Sequence, residues 1–124
     1  MKKNPKILIV EDEQVLSTMY ADLFSGRGWK VTTAASQNEG LKLAKKAKPD
    51  IILLDILLFD GHGIEFLREK QKETSITKIS VVVFSNLDDP KVREQALELG
   101  ALDYLLKTSY TPQELIEKVN SCLK

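Results

Sequence analysis

The chain has 124 residues, enough for one domain that buries a continuous core without disulfides or a structural metal. Its 18 basic and 18 acidic side chains cancel, so no general field would hold it on nucleic acid or on an anionic membrane. The single cysteine, Cys122, cannot form an internal bridge, so we expect an inert thiol and a cytoplasmic protein. No apolar run approaches the roughly 20 residues that cross a bilayer. We therefore expect one domain over residues 1–124, with partners other than nucleic acid or membrane.

The first predicted elements are a strand, a helix and a second strand. Residues 7–10 are all aliphatic and the run stops at acidic residues, as expected for a strand buried on both faces. From Val15 onward apolar residues recur at intervals of three and four, which predicts a helix that ends near Gly26 or Gly28. The second strand is predicted over residues 29–34.

The middle of the chain repeats this alternation. Ser36 and Glu39 have the spacing of a capping box, which predicts a second helix that ends before Pro49. The aliphatic run 51–54 predicts the third strand. A third helix is predicted to begin in the range 63–65.

The last third of the chain adds two more strands and two more helices. Residues 79–84 predict the fourth strand, and Asp89-Pro90 can cap and begin the fourth helix, with Gly100 as its left-handed terminus. The fifth strand is predicted over residues 102–106, and a capping box over residues 111–114 begins the last helix. Strands and helices that alternate in this way predict a doubly wound α/β fold, with a parallel sheet covered by helices on both faces.

Polar side chains follow four of the five predicted strands. In open sheets of this class, ligands bind beyond the carboxyl ends of the strands. We therefore expect these residues to share one crevice: Glu11 and Asp12 after strand 1, Asp55 after strand 3, Ser85 after strand 4 and Lys107 after strand 5.

Asp55 is the sharpest of these signals because it lies within the otherwise apolar segment 51–59. A buried carboxylate needs a positive partner, and three carboxylates in one crevice repel each other unless a cation lies among them. Mg²⁺, or Mn²⁺ in its place, prefers such oxygen ligands. Asp12 and Asp55 fit as direct ligands, with Glu11 acting through water. The alternative is that Asp55 forms a structural salt bridge with Lys107.

These residues together resemble the receiver domains of bacterial response regulators in two-component signalling. The resemblance depends on the joint spacing of the acidic pair Glu11-Asp12, the strand-end Asp55, the hydroxyl of Ser85 and the amine of Lys107, and it covers nearly the whole chain. It implies a flavodoxin-like (βα)5 fold with strand order 2-1-3-4-5. In that order the three acidic groups would meet, with Ser85 and Lys107 on the far side of the crevice.

The resemblance also implies a chemistry. Asp55 would accept a phosphoryl group from a histidine kinase, a phosphotransfer protein or a small acyl phosphate, so the domain would be a signalling phosphoacceptor rather than an enzyme in the ordinary sense. Beyond transfer to itself, it would catalyse at most its own dephosphorylation. The implied metal ligands are Glu11, Asp12, Asp55 and the backbone carbonyl of Leu57.

The implied switch begins at the new phosphoryl group. Lys107 would neutralise phosphoryl charge, and Ser85 would donate a hydrogen bond to a phosphoryl oxygen. Tyr104, three residues before Lys107, would then swing between outer and inner positions. The output would be a population shift of the face formed by helix 4, strand 5 and helix 5, which is also where the domain would dimerise or bind a downstream protein.

Four positions depart from the pattern of the family. Phe59 replaces a proline, His62 replaces the aspartate of an Asp-Gly pair, Asn86 replaces a small residue and Thr108 replaces a proline. We expect a trans Lys107–Thr108 peptide bond and a solvent-exposed His62 without a metal or catalytic role.

Two apolar residues and two rival classes complete the sequence-based expectations. Leu57 and Leu87 flank the expected site, which predicts poorly held water and slow self-hydrolysis. A magnesium-dependent aspartyl hydrolase would need a second acid where Leu57 stands, and a nucleotide binder would be repelled by the acidic segment 11–13. The alternative that remains open is a receiver-like interaction module that works without phosphorylation.

Overall fold

Five parallel strands form one sheet in the computed structural model, which describes residues 4–123. The strands are β1 (Lys6–Val10), β2 (Lys30–Ala34), β3 (Ile51–Leu54), β4 (Ser80–Ser85) and β5 (Asp103–Leu106). They lie in the order β2-β1-β3-β4-β5, and each neighbouring pair is parallel. The predicted strand order and doubly wound α/β fold are therefore confirmed. The third strand has its predicted bounds, the first, second and fifth differ by one residue at one end, and the fourth is shifted by one residue at both ends.

Five helices connect and follow the strands. They are α1 (Gln14–Ser25), α2 (Gln37–Ala47), α3 (Gly63–Lys72), α4 (Pro90–Glu98) and α5 (Pro112–Ser121). The predicted cap at Asp89 and the capping box at Thr111 are both present, and Gly100 has the left-handed φ of 102° that was expected after α4. The box at α2 is incomplete, because Glu39 accepts a hydrogen bond from the amide of Ala35 rather than from Ser36.

The alternation of side chains along the strands divides the core between the two faces of the sheet. In β1, Ile7 and Ile9 pack with residues of α1 and α5, whereas Leu8 and Val10 pack with residues of α2, α3 and α4. Both faces of the central strands are therefore dry, which accounts for their uninterrupted aliphatic sequences.

Two short elements were not predicted, and both lie beside the carboxyl end of the sheet. Residues Leu57–Leu58 and Gly61–His62 pair as an antiparallel ribbon, with a turn at Phe59 and Asp60. Residues Lys107–Ser109 form a 3₁₀ turn after β5. Both elements shape the crevice described below. No helix within residues 4–123 has the length and apolarity that a bilayer span requires.

Candidate functional site

Lys107 holds two carboxylates together at the carboxyl end of the sheet. Its Nζ lies 2.5 Å from Glu11 Oε1, which follows β1, and 2.9 Å from Asp55 Oδ2, which follows β3. The amide of Asp55 still donates to the carbonyl of Val10 in the strand ladder, so the backbone at this acid is fixed beside the end of β1. Lys107 follows β5, on the other side of β3 from Glu11, and its side chain reaches across the crevice to both acids.

The three side chains of this cluster are buried, with 8 % of Lys107, 4 % of Glu11 and 8 % of Asp55 exposed. Burial acts to lower the pKa of Lys107, but its contacts with Glu11 and Asp55 outweigh burial and raise that pKa above the usual range. Burial raises the pKa of Glu11, and Lys107 offsets only part of that rise. Two carboxylates around one ammonium leave a residual negative charge, so the cluster attracts further positive charge.

Asp12 does not join this cluster. Its Oδ2 accepts a hydrogen bond of 2.8 Å from the amide of Phe59, in the turn of the ribbon. Between residues 4 and 123 no group of three or more acidic, histidine or cysteine side chains is arranged to hold a metal ion. Glu11 and Asp55 thus meet as predicted, whereas Asp12 is directed elsewhere.

The residues present nevertheless fit a hard divalent cation in their chemistry. Glu11 and Asp55 already share one cation in the form of the Lys107 ammonium, and Asp12 is the neighbour of Glu11 in sequence. Carboxylate oxygens are the ligands that Mg²⁺ prefers, usually one or two of them together with water and phosphate. At Leu57 the amide donates to Asp55 Oδ1 at 3.2 Å, so the backbone of this residue lies against the acid.

Ser85 and Tyr104 meet at Leu87, in the loop after β4. The hydroxyl of Ser85 accepts a 3.3 Å hydrogen bond from the amide of Leu87, and the hydroxyl of Tyr104 donates a 2.6 Å hydrogen bond to the carbonyl of Leu87. Both side chains are buried, so the ring of Tyr104 occupies an inner position. Burial is the main reason that the pKa of Tyr104 is raised.

The loop after Asp55 contains contacts that sequence reasoning missed. Asp60 accepts hydrogen bonds from the amides of Gln37 and Asn38 and so caps α2 from a distance. A Cβ atom on Gly63 would lie 2.8 Å from the carbonyl oxygen of Asp55, so only glycine allows this close approach. The Asp60-Gly61 pair is a turn signal that could have revealed the ribbon, whereas no local signal marks the long-range cap.

The expectation of a solvent-exposed His62 was also wrong. The side chain is half-buried and caps α3, because its Nδ1 accepts a hydrogen bond from the amide of Ile64. His62 thus takes the place that a short polar side chain usually has at a helix start. The predicted trans Lys107–Thr108 peptide bond is confirmed, since residues 4–123 contain no cis peptide bond.

With this arrangement of residues in place, comparison with known proteins decides the family. The chain matches the response regulator receiver domain family over residues 7–120. It belongs to that family. It is 34 % identical, over 98 % of its length, to the alkaline phosphatase synthesis transcriptional regulatory protein PhoP of Bacillus subtilis. It is 39 % identical, over 82 % of its length, to the KDP operon transcriptional regulatory protein KdpE of Escherichia coli.

Solved receiver structures share the fold. A CheY-like response regulator receiver domain protein from Methanospirillum hungatei has a TM-score of 0.87 and 26 % identity, with 94 % of this chain and 91 % of that one covered. The receiver domain of the Francisella response regulator 1452 has a TM-score of 0.85 and 29 % identity, with 95 % of each chain covered. This receiver domain spans 49 % of PhoP and 44 % of KdpE, about half the length of these curated relatives.

Proposed function

We propose that Asp55 is the phosphoacceptor of this receiver domain, that the reaction depends on Mg²⁺ or Mn²⁺, and that residues 1–124 act as one receiver unit. The observation that carries the proposal is the buried Asp55 carboxylate, fixed at a strand end and held at 2.9 Å by Lys107. A desolvated carboxylate with a charged partner is a group whose reactivity the fold controls.

The transfer step moves one phosphoryl group. A carboxylate oxygen of Asp55 attacks the phosphorus of a phosphohistidine on a sensor kinase or phosphotransfer protein, and the bond from phosphorus to the histidine nitrogen breaks. The nitrogen keeps the electron pair of that bond, and the product is an aspartyl phosphate. A small acyl phosphate would serve as an alternative donor. These donors favour a cytoplasmic location, where the thiol of Cys122 stays reduced.

The residues around Asp55 take separate roles in this proposal. Glu11, Asp12, Asp55 and the carbonyl of Leu57 would hold the cation, which supplies neutralising charge to the phosphoryl oxygens. Lys107 stays protonated because its pKa is raised, so its ammonium adds a second positive charge. The hydroxyl of Ser85 accepts a hydrogen bond from Leu87 and keeps its own proton free to donate to a phosphoryl oxygen.

The proposed output is a shift in the face formed by α4, β5 and α5. Ser85 and Tyr104 both contact Leu87, so a new hydrogen bond at Ser85 would move the group that holds the Tyr104 ring. Leu97 on α4 and Leu102 just before β5 are exposed apolar residues that a downstream protein or a second receiver would cover on this face. The phosphoryl group shifts the equilibrium between the two conformations of this face only through contacts that differ between them.

The lifetime of the phosphorylated state is a further part of the proposal. Leu57 is half exposed beside Asp55, and Leu87 is partly buried beside Ser85. Both side chains are apolar, so neither can hydrogen-bond an attacking water and hold it in position. We expect slow self-dephosphorylation. Replacement of both leucines by polar residues should speed the release of phosphate from the isolated phosphoprotein, and an unchanged rate would contradict this part.

The decisive test is the mass of the intact protein after incubation with a small acyl phosphate, with and without Mg²⁺. Wild type should gain one phosphoryl group only with the metal, and Asp55→Asn should gain none. A gain on Asp55→Asn would assign another acceptor. No gain in any folded sample would reject the phosphoacceptor role.

One observation favours a second candidate, a receiver-like interaction module that works without phosphorylation. The inner position of Tyr104 is held by the hydrogen bond from its hydroxyl to the carbonyl of Leu87, a contact between groups of the protein itself. A partner that selects this arrangement would need no phosphoryl signal. In the mass experiment this candidate predicts no phosphoryl gain from a folded protein, and it then predicts that wild type and Asp55→Asn bind that partner equally well.

A further inference from the structure

The backbone amide of Phe59 binds Asp12, the one of the three predicted site acids that lies outside the cluster of Lys107, Glu11 and Asp55. The hydrogen bond from Phe59 N to Asp12 Oδ2 is 2.8 Å long, a normal length for an amide that donates to a carboxylate. Phe59 is 75 % exposed, so the contact is made by the backbone and not by packing of the side chain. A proline at position 59 would have no N–H group to make it.

The three acids at this end of the sheet therefore have different partners. Glu11 and Asp55 contact the ammonium group of Lys107, whereas Asp12 contacts a backbone donor in the turn of a ribbon. An ionised carboxylate that accepts an amide hydrogen bond is stabilised where it lies. To turn toward Glu11 and Asp55, the Asp12 side chain would have to break this hydrogen bond. Within residues 4–123, Asp12 forms no three-acid group with Glu11 and Asp55.

We propose that the Phe59 amide is a latch that competes with the divalent cation for Asp12 and so lowers the affinity of this domain for Mg²⁺. The inference rests on the proposed function, because it takes Asp12 as a metal ligand. Phe59 is a positioning residue in this account: it acts through Asp12 and touches neither the cation nor the phosphoryl group. Capture of Asp12 by the cation would break the hydrogen bond and release the amide.

The turn at Phe59 allows a direct test of the latch. Phe59 and Asp60 are the two central residues between the paired segments Leu57–Leu58 and Gly61–His62, and neither has a positive φ. Phe59 is the first of the two, which is the position of a turn that favours proline. Phe59→Pro thus removes the donor at a turn position that favours proline, while Phe59→Ala removes the phenyl group and keeps the donor.

Calorimetric titration with Mg²⁺ alone, without a phosphodonor, compares the three proteins. We expect Phe59→Pro to bind Mg²⁺ about tenfold more tightly than wild type, which corresponds to about 1.4 kcal/mol. Phe59→Ala should bind like wild type. Equal affinities for Phe59→Pro and wild type would overturn the latch, and so would an equal gain for Phe59→Ala.

A second measurement keeps the inference testable if Phe59→Pro does not fold. In wild type, the backbone amide resonance of Phe59 should shift during a Mg²⁺ titration with the same midpoint as metal binding, and its hydrogen exchange should become faster. An unchanged Phe59 amide during saturable binding would overturn the latch and leave the proposed metal site intact. No binding of Mg²⁺ to wild type or to any variant would overturn the proposed metal dependence, and the latch with it.

Discussion

The two ends of β5 carry two clusters of charge that look alike in sequence and differ in structure. At the carboxyl end, Lys107 lies between Glu11 and Asp55, and each of the three side chains is at most 8 % exposed. At the amino end, Asp103 lies 3.1 Å from Lys118 and 3.9 Å from Arg93, whose side chains are 39 % and 51 % exposed. The difference is burial, since both clusters combine acids with bases.

Burial changes what each cluster can do. At the exposed cluster, burial acts to raise the pKa of Asp103, but the Tyr104 amide, Lys118 and Arg93 outweigh it and lower that pKa. At the buried cluster the pKa of Glu11 is raised instead, because desolvation outweighs the contact with Lys107. The first cluster simply stabilises its charges in water. The second cluster keeps its charges buried against the free-energy cost of desolvation. We therefore expect its stability to change strongly when a cation or a phosphoryl group binds.

The largest test of this comparison is Lys107→Met. The substitution leaves Glu11 and Asp55 buried without a positive partner, and removal of one partner from a buried ion pair costs about 3–5 kcal/mol. We expect a loss of this size in the free energy of unfolding at pH 7, measured by urea denaturation in the absence of divalent cations.

Added Mg²⁺ provides the matched control for this loss. A cation that binds only the folded protein raises its stability, and the vacated position beside Glu11 and Asp55 should make the gain larger in Lys107→Met than in wild type. A loss below about 1 kcal/mol without metal would show that this cluster behaves like a surface ion pair.

We expect a smaller loss of stability from Tyr104→Phe. Tyr104 contacts residues near both ends of β5, and the substitution removes its hydroxyl contact. The amide of Tyr104 donates to Asp103, while its hydroxyl donates to the carbonyl of Leu87 beside the buried site. Loss of the hydroxyl removes one hydrogen bond and should cost about 1 kcal/mol in the free energy of unfolding. Urea denaturation measures this, and Tyr110→Phe on a half-buried residue with no such bond is the control. Equal effects of the two substitutions would contradict the contribution of this hydroxyl contact.

The contrast between the clusters also marks what the sequence could predict. Parallel strands bring their carboxyl ends to one edge, so the meeting of Glu11, Asp55 and Lys107 followed from strand order and the residue after each strand. The five strands and five helices followed from aliphatic runs, helical periodicity and caps, within a residue or two at their ends.

The partner of each side chain could not be predicted in the same way. Asp12 follows Glu11 directly in sequence. Its side chain nevertheless accepts a hydrogen bond from the amide of Phe59, 47 residues away, and does not join Glu11 at Lys107. His62 caps a helix because the unpredicted ribbon places it there. Such contacts depend on loop conformations that only the assembled fold determines, and the sequence carries no local pattern for them.

The pKa directions separate the clusters without any change of sequence. Carboxyl titration by NMR should give Glu11 a midpoint above its usual 4.5 and Asp103 a midpoint below its usual 3.8. A raised pKa means that the folded state holds its proton more tightly, so the contribution of Glu11 to stability is present below pH 4.5 and is lost as the pH rises through its folded value. The contribution of Asp103 is present above pH 3.8 and is lost as the pH falls through its folded value.

Matched variants turn these directions into a stability measurement. The difference in unfolding free energy between wild type and Glu11→Gln should fall as the pH rises above 4.5, whereas the difference for Asp103→Asn should fall as the pH drops below 3.8. The same sign of slope for both pairs would mean that burial does not distinguish the clusters.

The smallest expected effect is that of Lys118→Met, the counterpart of Lys107→Met at the exposed end of β5. Lys118 shares Asp103 with Arg93 and with the amide of Tyr104, so the acid keeps two partners after the substitution. Exposed ion pairs contribute little because water and salt screen them. We expect a urea midpoint that cannot be separated from that of wild type at moderate salt. A loss comparable with that of Lys107→Met would show that the number of charges, and not their burial, sets the energetics at both ends of the strand. Burial would then not explain how the cluster around Asp55 responds to a cation or a phosphoryl group.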